Sequence, residues 1–293
     1  MKTAAVLVLI EGWGLGSKGQ ENPLYAAHPT HMNALLASGG SLVLHAAGLP
    51  IGLNWETTGG AEFGTATIGA GRTLDPKSVA VREPIAGTIG ETVATAGLHQ
   101  LRIAETLAYP LVTEVLDGFR TEAFPGEFRI HIPSEKFARI TEHPELAAKA
   151  VTDRLIMSLR ENAFDFIVVG YPNLDAMARA GSHGATVRAV EIMDRELGRA
   201  LEAAAEGGHT MFITSSHGNA EQVMNPQTGE PDTADNPNPV PFIAVGPGLG
   251  AGGRRDTESP DGTLADVAPT ILEFLGVRPP AEMTGESLLD RLR

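Results

Sequence analysis

Apolar runs without alternation at residues 4–10, 164–169, 211–214 and 242–245 constrain this chain more than any other feature. A strand with one wet face alternates apolar and polar residues. A run without alternation is buried on both faces, as the strands of parallel sheets are. Between the runs lie stretches with helical spacing. Residues 144–162 carry apolar side chains at Leu146, Val151, Leu155, Ile156 and Leu159, and residues 186–205 at Val187, Val190, Met193, Leu197 and Leu201. A third stretch, 263–276, closes on Gly276 with Pro279 and Pro280 beyond it. Strands alternating with helices give an α/β fold: a doubly wound, mostly parallel sheet with helices on both faces.

Such sheets bind ligands at the carboxyl ends of their strands. Glu11, Asp175, Ser216, His217 and Asp235 all fall just after the expected strands or in the loops that follow. Residues 74–88, with Pro76 and Pro84 among small residues, read as a connector. Residues 246–262 read as an exposed loop, with Arg254 and Arg255 a solvated basic pair. At 293 residues and 42% hydrophobic content the chain can bury a core as one domain. Its net charge of -14 argues against a nucleic-acid backbone as partner. With no cysteine there are no disulfides and no thiolate metal ligands, which fits a reducing cytoplasm. Residues 4–10 are followed at once by Glu11-Gly12-Trp13-Gly14, so they read as a first strand rather than a signal segment. No apolar run reaches membrane-spanning length, and no membrane partner is expected.

Several motifs are collinear with a known family. Glu11-Gly12-Trp13-Gly14 opens the series, followed by Ala61-Glu62-Phe63-Gly64-Thr65 and Ile68-Gly69-Ala70-Gly71-Arg72. Residues 100–106 read Gln-Leu-Arg-Ile-Ala-Glu-Thr. Phe124-Pro125-Gly126-Glu127, Ile132-Pro133-Ser134, Asn238-Pro239-Val240-Pro241-Phe242 and Ala268-Pro269-Thr270 complete it. The chain thereby resembles the cofactor-independent phosphoglycerate mutases of the alkaline phosphatase superfamily. The resemblance implies an alkaline-phosphatase-like fold, two divalent metals, usually manganese, and a serine that takes the phosphoryl group.

Two departures stand out against that resemblance. The family inserts a substrate-binding domain after the Gly-Ala-Gly-Arg element, whereas here only the short stretch 73–87 bridges the gap. The inserted domain is therefore expected to be absent and residues 1–293 to form a single domain. The second departure is substitution. By the resemblance, one metal's ligands fall on Asp175, Arg179 and Asp235, where Arg179 and Asp235 replace histidines. The other's fall on Glu11, Ala61, Ser216 and His217, where Ser216 and Glu11 replace aspartates and Ala61 replaces the serine. A lysine that bridges the substrate maps to Ala108.

Ala61 has no heteroatom, so covalent phosphoryl transfer is closed at that position. Arg179 offers only donors, cannot ligate a metal, and adds a positive charge among the ligands. The expectation is that it replaces a cation and neutralises Asp175 and Asp235. Thr57, Thr58 and Thr65 are candidates for a displaced nucleophile, or else turn and helix-cap residues. Gly59 and Gly60 before a helix suit an anion, with Arg179, or a tight turn. His183 is a substitute ligand or a solvated helix-start residue. Two readings of function follow. One is a degenerate relative without mutase activity, having a binding or regulatory role toward a small anionic molecule or a protein. The other is a hydrolase of a small phosphate or sulfate ester, using one metal on Glu11, Asp175, His217 and Asp235 and water as nucleophile. A structural subunit pairing with an active homologue is a third class. The cofactor is expected to be none, or one weakly bound manganese, magnesium or zinc ion.

Overall fold

The computed structural model of the chain describes residues 3–55, 57–225, 227–250 and 259–293, so the Arg254–Arg255 pair lies outside the described residues. Its strands are β1 (Ala5–Ile10), β2 (Ser41–His45), β3 (Gln100–Glu105), β4 (Glu127–Ile132), β5 (Phe166–Tyr171), β6 (Thr210–Thr214), β7 (Val240–Val245) and β8 (Gly262–Thr263). Its helices are α1 (Pro23–Ala26), α2 (Thr30–Leu36), α3 (Gly60–Ala70), α4 (Pro76–Ala80), α5 (Ile89–Thr95), α6 (Ala148–Glu161), α7 (Asn173–Arg179), α8 (His183–Gly207) and α9 (Val267–Phe274). The strands form one sheet in the order β4-β3-β5-β1-β6-β7-β2-β8. Only β7 runs against its neighbours, pairing antiparallel with β6 and β2.

The sheet is mostly parallel and α/β, as its unalternating runs require. Every residue of β1, β5 and β6 is buried. Successive side chains point to opposite faces, and both faces are covered. Ala5, Leu7 and Leu9 join one core with Phe63 and Ile68 of α3, Val93 of α5 and Ile271 of α9. Val6, Val8 and Ile10 join the other with Leu35 of α2, Leu155 of α6, Leu174 of α7 and Met193 of α8.

Local signals set the helix ends. The Ser182 side chain accepts from Ala185 N to start α8, which stops at Gly208 with φ +67. Asn162 ends α6 with φ +52. The stretch read as a connector, 74–88, contains α4, started by Asp75 and anchored by buried Val79. The expected lone strand and helix framework also omitted β2, β3, β4 and β8. In β3 the reason is physical: buried Arg102 interrupts the apolar pattern. Its guanidinium donates to Asp117 at 3.0 Å and Gln100 at 2.8 Å, while Arg129 reaches Asp117 at 3.2 Å and Glu127 at 2.5 Å. Among the described residues no helix is long and apolar enough to cross a membrane.

Candidate functional site

Strand order puts the ends of β1, β5 and β6 side by side. Glu11 follows β1, α7 with Asp175 and Arg179 follows β5, and Ser216 and His217 follow β6. Asp235 precedes β7. Because β7 is antiparallel, its beginning lies at the same edge of the sheet as the carboxyl ends of the others. Backbone contacts lock these segments together. Asp175 N donates to Glu11 O at 3.1 Å, Ala220 N to Gly12 O at 2.9 Å and Asn236 N to Gly218 O at 3.1 Å. Gly12 has φ +82, and a Cβ there would stand 3.0 Å from the Asp175 backbone, so the close approach requires glycine.

Arg179 lies four residues after Asp175 on α7, the spacing that puts two side chains on one helix face. Its Nε donates to Asp175 Oδ2 at 2.7 Å and its Nη2 to Asp235 Oδ1 at 2.5 Å. The Arg179 side chain is 42% exposed and both aspartates 15%. The expected Arg179 ion pairs are thus present with both carboxylates, at the rim of the site rather than in its depth.

His217, 1% exposed, occupies the depth. Its Nε2 donates to Asp175 Oδ1 at 2.9 Å and lies 3.2 Å from Asp235 Oδ1. Its Nδ1 donates to Ser216 Oγ at 2.9 Å, and Ser216 Oγ donates in turn to Glu11 Oε2. Burial alone would lower the His217 pKa. Hydrogen bonds to Asp175, Asp235 and Glu11 outweigh it and hold the ring well above the ordinary histidine value. The raised pKa favours the protonated ring, and Arg179 Nη2 stands 3.5 Å from its Nε2. Burial likewise opposes ionisation of Asp175, but the hydrogen bond and charge of His217 and those of Arg179 pull its pKa down to about 2. The same carboxylates raise the Arg179 pKa against the effect of burial.

Asp175, His217 and Asp235 offer ligand atoms within 4.8 Å of one another, a group that could hold a divalent metal. The residues do not fit two. Ala61 offers no donor, the Ser216 hydroxyl is committed to Glu11 and His217, and the Arg179 guanidinium already stands on both aspartates. Even a single ion must displace Arg179 and take the proton from His217 Nε2, because only neutral imidazole ligates. Two buried oxygens of the cluster, Glu11 Oε1 and Asn219 Oδ1, have no hydrogen-bond partner among the described residues.

The remaining sequence candidates are dispersed. Ala61 sits half-buried in the first turn of α3. Gly59 is the N-cap of that helix, without a side-chain cap bond. Gly60 has φ +64, and a Cβ on it would meet Asp235 Oδ2 at 2.7 Å, so an acidic group of the chain itself faces this helix end. Thr57 is exposed, and Thr58 bridges to Ala47. Thr65 is neither a turn nor a cap residue: it is wholly buried inside α3, its hydroxyl unpartnered. Ala108, at the family's lysine position, is fully buried in the core. His183 begins α8 and donates to Gln20 O at 2.9 Å.

Residue-by-residue reading of the motifs passed over Asn219 and Glu221. Asn219 Nδ2 donates to Asp175 Oδ1 at 2.7 Å. Buried Glu221 accepts from Gly14 N, Asn219 N and Asn238 Nδ2, each at 3.0 Å, and ties the loop after β1 to the loop after β6. Burial raises its pKa, opposed by these bonds. Their position in the loop just beyond His217 is the sequence signal that points to them.

Residues 3–279 match the sequence model of the Metalloenzyme superfamily. The 2,3-bisphosphoglycerate-independent phosphoglycerate mutase of Chloroflexus aggregans is 45% identical over 212 residues, which are 72% of this chain and 38% of that protein. The corresponding enzyme of Pseudomonas fluorescens is 46% identical over 202 residues, 69% of this chain and 38% of that protein. The chain thus spans under half the length of these relatives. Among solved structures, Leishmania mexicana phosphoglycerate mutase superposes with a TM-score of 0.63 at 24% identity, covering 69% of this chain and 39% of that one. A phosphonate monoester hydrolase from Silicibacter pomeroyi gives 0.61 at 14% identity, covering 99% and 76%. These likenesses concern the fold.

Proposed function

The chain belongs to the Metalloenzyme superfamily, and we propose that it is a member without phosphoglycerate mutase activity, serving a binding or regulatory role in the cytoplasm. The single observation that carries this reading is the Arg179 guanidinium bridging Asp175 and Asp235. A resident organic cation takes the place of a divalent metal, so the carboxylates are neutralised without one. The loss of a nucleophile at Ala61 and the burial of Ala108 support the same reading. Its partner is a small anionic molecule or a protein, not a nucleic acid or a membrane. At most one weakly held manganese, magnesium or zinc ion is expected.

A second reading has its own observation. The ligand atoms of Asp175, His217 and Asp235 lie close enough for one metal, which would make the chain a hydrolase of a small phosphate or sulfate ester. The test is metal analysis of protein purified without chelator, joined to an assay interconverting 2- and 3-phosphoglycerate in millimolar manganese. Substoichiometric metal and no turnover are expected. Turnover above ~1 per second, an ordinary enzyme rate, would overturn the proposal. Stoichiometric metal without turnover would favour the hydrolase.

A further inference from the structure

Beside the loop that follows β1 lies a cleft of about 650 Å³ that the polar site does not use. It is walled by that loop from Trp13 to Lys18, by α1 and by α2. Its volume is in the range of small-molecule sites, ~300–1,000 Å³. Its lining is mostly apolar or aromatic, including Trp13, Leu24, Tyr25 and Leu36, with the amide of Asn33 at the side. Tyr25 is open to the cleft at 42% exposure, while Trp13, 1% exposed, forms the core beneath it. Among the described residues of the lining, Lys18 is the only charged one. Among the described residues no carboxylate pairs with its ammonium, in a chain whose net charge is -14.

The cleft is preformed. Gly14 N is held by Glu221, Leu15 N donates to Pro239 O at 2.8 Å, and Asn22 Nδ2 donates to Ser17 O at 2.8 Å. A Cβ on Gly14 would lie 2.2 Å from the Glu221 carboxylate, and one on Gly16 would lie 2.9 Å from its Cγ. Both positions must be glycine for the loop to lie as it does. A ligand there meets a wall already fixed by hydrogen bonds, and little ordering entropy opposes its binding.

We propose that this cleft binds a small organic anion: one acidic group paired with Lys18, and one or two rings against Tyr25, Leu24 and Leu36. A single ammonium selects a single acidic group, and the volume excludes a nucleotide chain or a folded peptide. Aromatic faces favour a ring over an aliphatic tail. The site is separate from the Arg179 cluster, so the inference stands or falls independently of the lost mutase chemistry.

The probe is anilinonaphthalene sulfonate, a two-ring-system anion, with its neutral relative N-phenylnaphthylamine as control. Fluorescence titration of the full chain is expected to show saturable one-to-one binding of the sulfonate, with energy transfer from Trp13 retained in Trp55→Phe. Lys18→Ala is expected to weaken it at least fivefold and leave the neutral probe unaffected. Ala37→Trp, a substitution at an exposed lining position, should fill the cleft and remove both. Lys77→Ala, far along the chain on α4, should change nothing. Absence of saturable binding would overturn the proposal. So would equal affinities in the parent, Lys18→Ala and Ala37→Trp. The Lys18 change alters an exposed side chain, so its reading does not depend on whether the tryptophan variant folds.

Discussion

Replacing Arg179 with alanine should weaken the metal-free protein and at the same time make it responsive to manganese. Two charge-assisted hydrogen bonds are lost, to Asp175 and Asp235. Hydrogen bonds to charged groups contribute ~1.5–3 kcal/mol when removed from solvent, whereas exposed ion pairs contribute ~0.2–1 kcal/mol. At 42% exposure the guanidinium lies between these limits. The expected cost is therefore about 1–3 kcal/mol, less than the ~3–5 kcal/mol of breaking a fully buried pair. For a domain of this size each kcal/mol moves Tm by roughly 2–4 °C or slightly less. The variant should melt several degrees lower. It also leaves Asp175, His217 and Asp235 facing one another without the intruding cation. A ligand at one hundred times Kd adds ~2.7 kcal/mol to the folded state, so millimolar manganese should recover the loss in the variant. The parent should move by less than ~1 °C. Thermal melts of both proteins, with and without manganese, decide the matter. A saturable rise of several degrees in the parent, equal to that of the variant and abolished by Asp175→Ala, would refute the argument that Arg179 stands in for a metal.

Other consequences can be measured separately. Ala61→Ser should restore a hydroxyl in the first turn of α3 but no mutase turnover, because Arg179 and Ala108 remain; coupled assay at millimolar manganese reads this. Glu221→Ala should cost at least about 3 kcal/mol in urea unfolding, since it strands two backbone N–H groups and the Asn238 amide at ~1–3 kcal/mol each. Glu221→Gln, which keeps an acceptor, should cost less. Burial raises the Asp117 carboxyl to about 6 against the pull of Arg102, with Glu127 adding to the rise. Its unfolded value is near 3.9, so between these values the folded chain holds the extra proton. That contribution to stability is present below pH ~4 and lost as pH rises through about 6. Asp117→Asn should remove this slope, read as the parent-minus-variant difference in unfolding free energy from pH 4 to 7.

Much of the sheet was legible because β1, β5, β6 and β7 are buried on both faces, and an unalternating apolar run states that directly. β3 escaped because Arg102 and Glu105 are buried within it. Their burial depends on Asp117, Ser134 and the Ala147 amide, partners that no local pattern announces. The site was legible where a polar residue follows a strand: Glu11, Ser216 and His217 behave this way. Asp175 and Asp235 were legible in the loops that follow strands, and Arg179 joined them only through the family resemblance. Glu221 and Asn219 were not found, since their part is to satisfy distant amides. Thr65 shows the opposite failure. Closeness in sequence to Ala61 suggested a free hydroxyl, but helical rotation carries it into the interior.

The lone reversed strand, β7, has a consequence for the order in which the site assembles. β6 and β7 pair antiparallel, so the segment between them is a closed excursion, and His217 and Asp235 are brought together by one short-range zippering event. Glu11 and Asp175 reach the same place only through parallel pairing of β1 with β5, strands far apart along the chain, whose closure entropy is larger. The cluster is thus the meeting of two halves, one joined by antiparallel pairing of β6 with β7 and one by parallel pairing of β1 with β5. Arg179 grips Asp175 from the second and Asp235 from the first. It therefore ties the segment before β7 to α7 across the site.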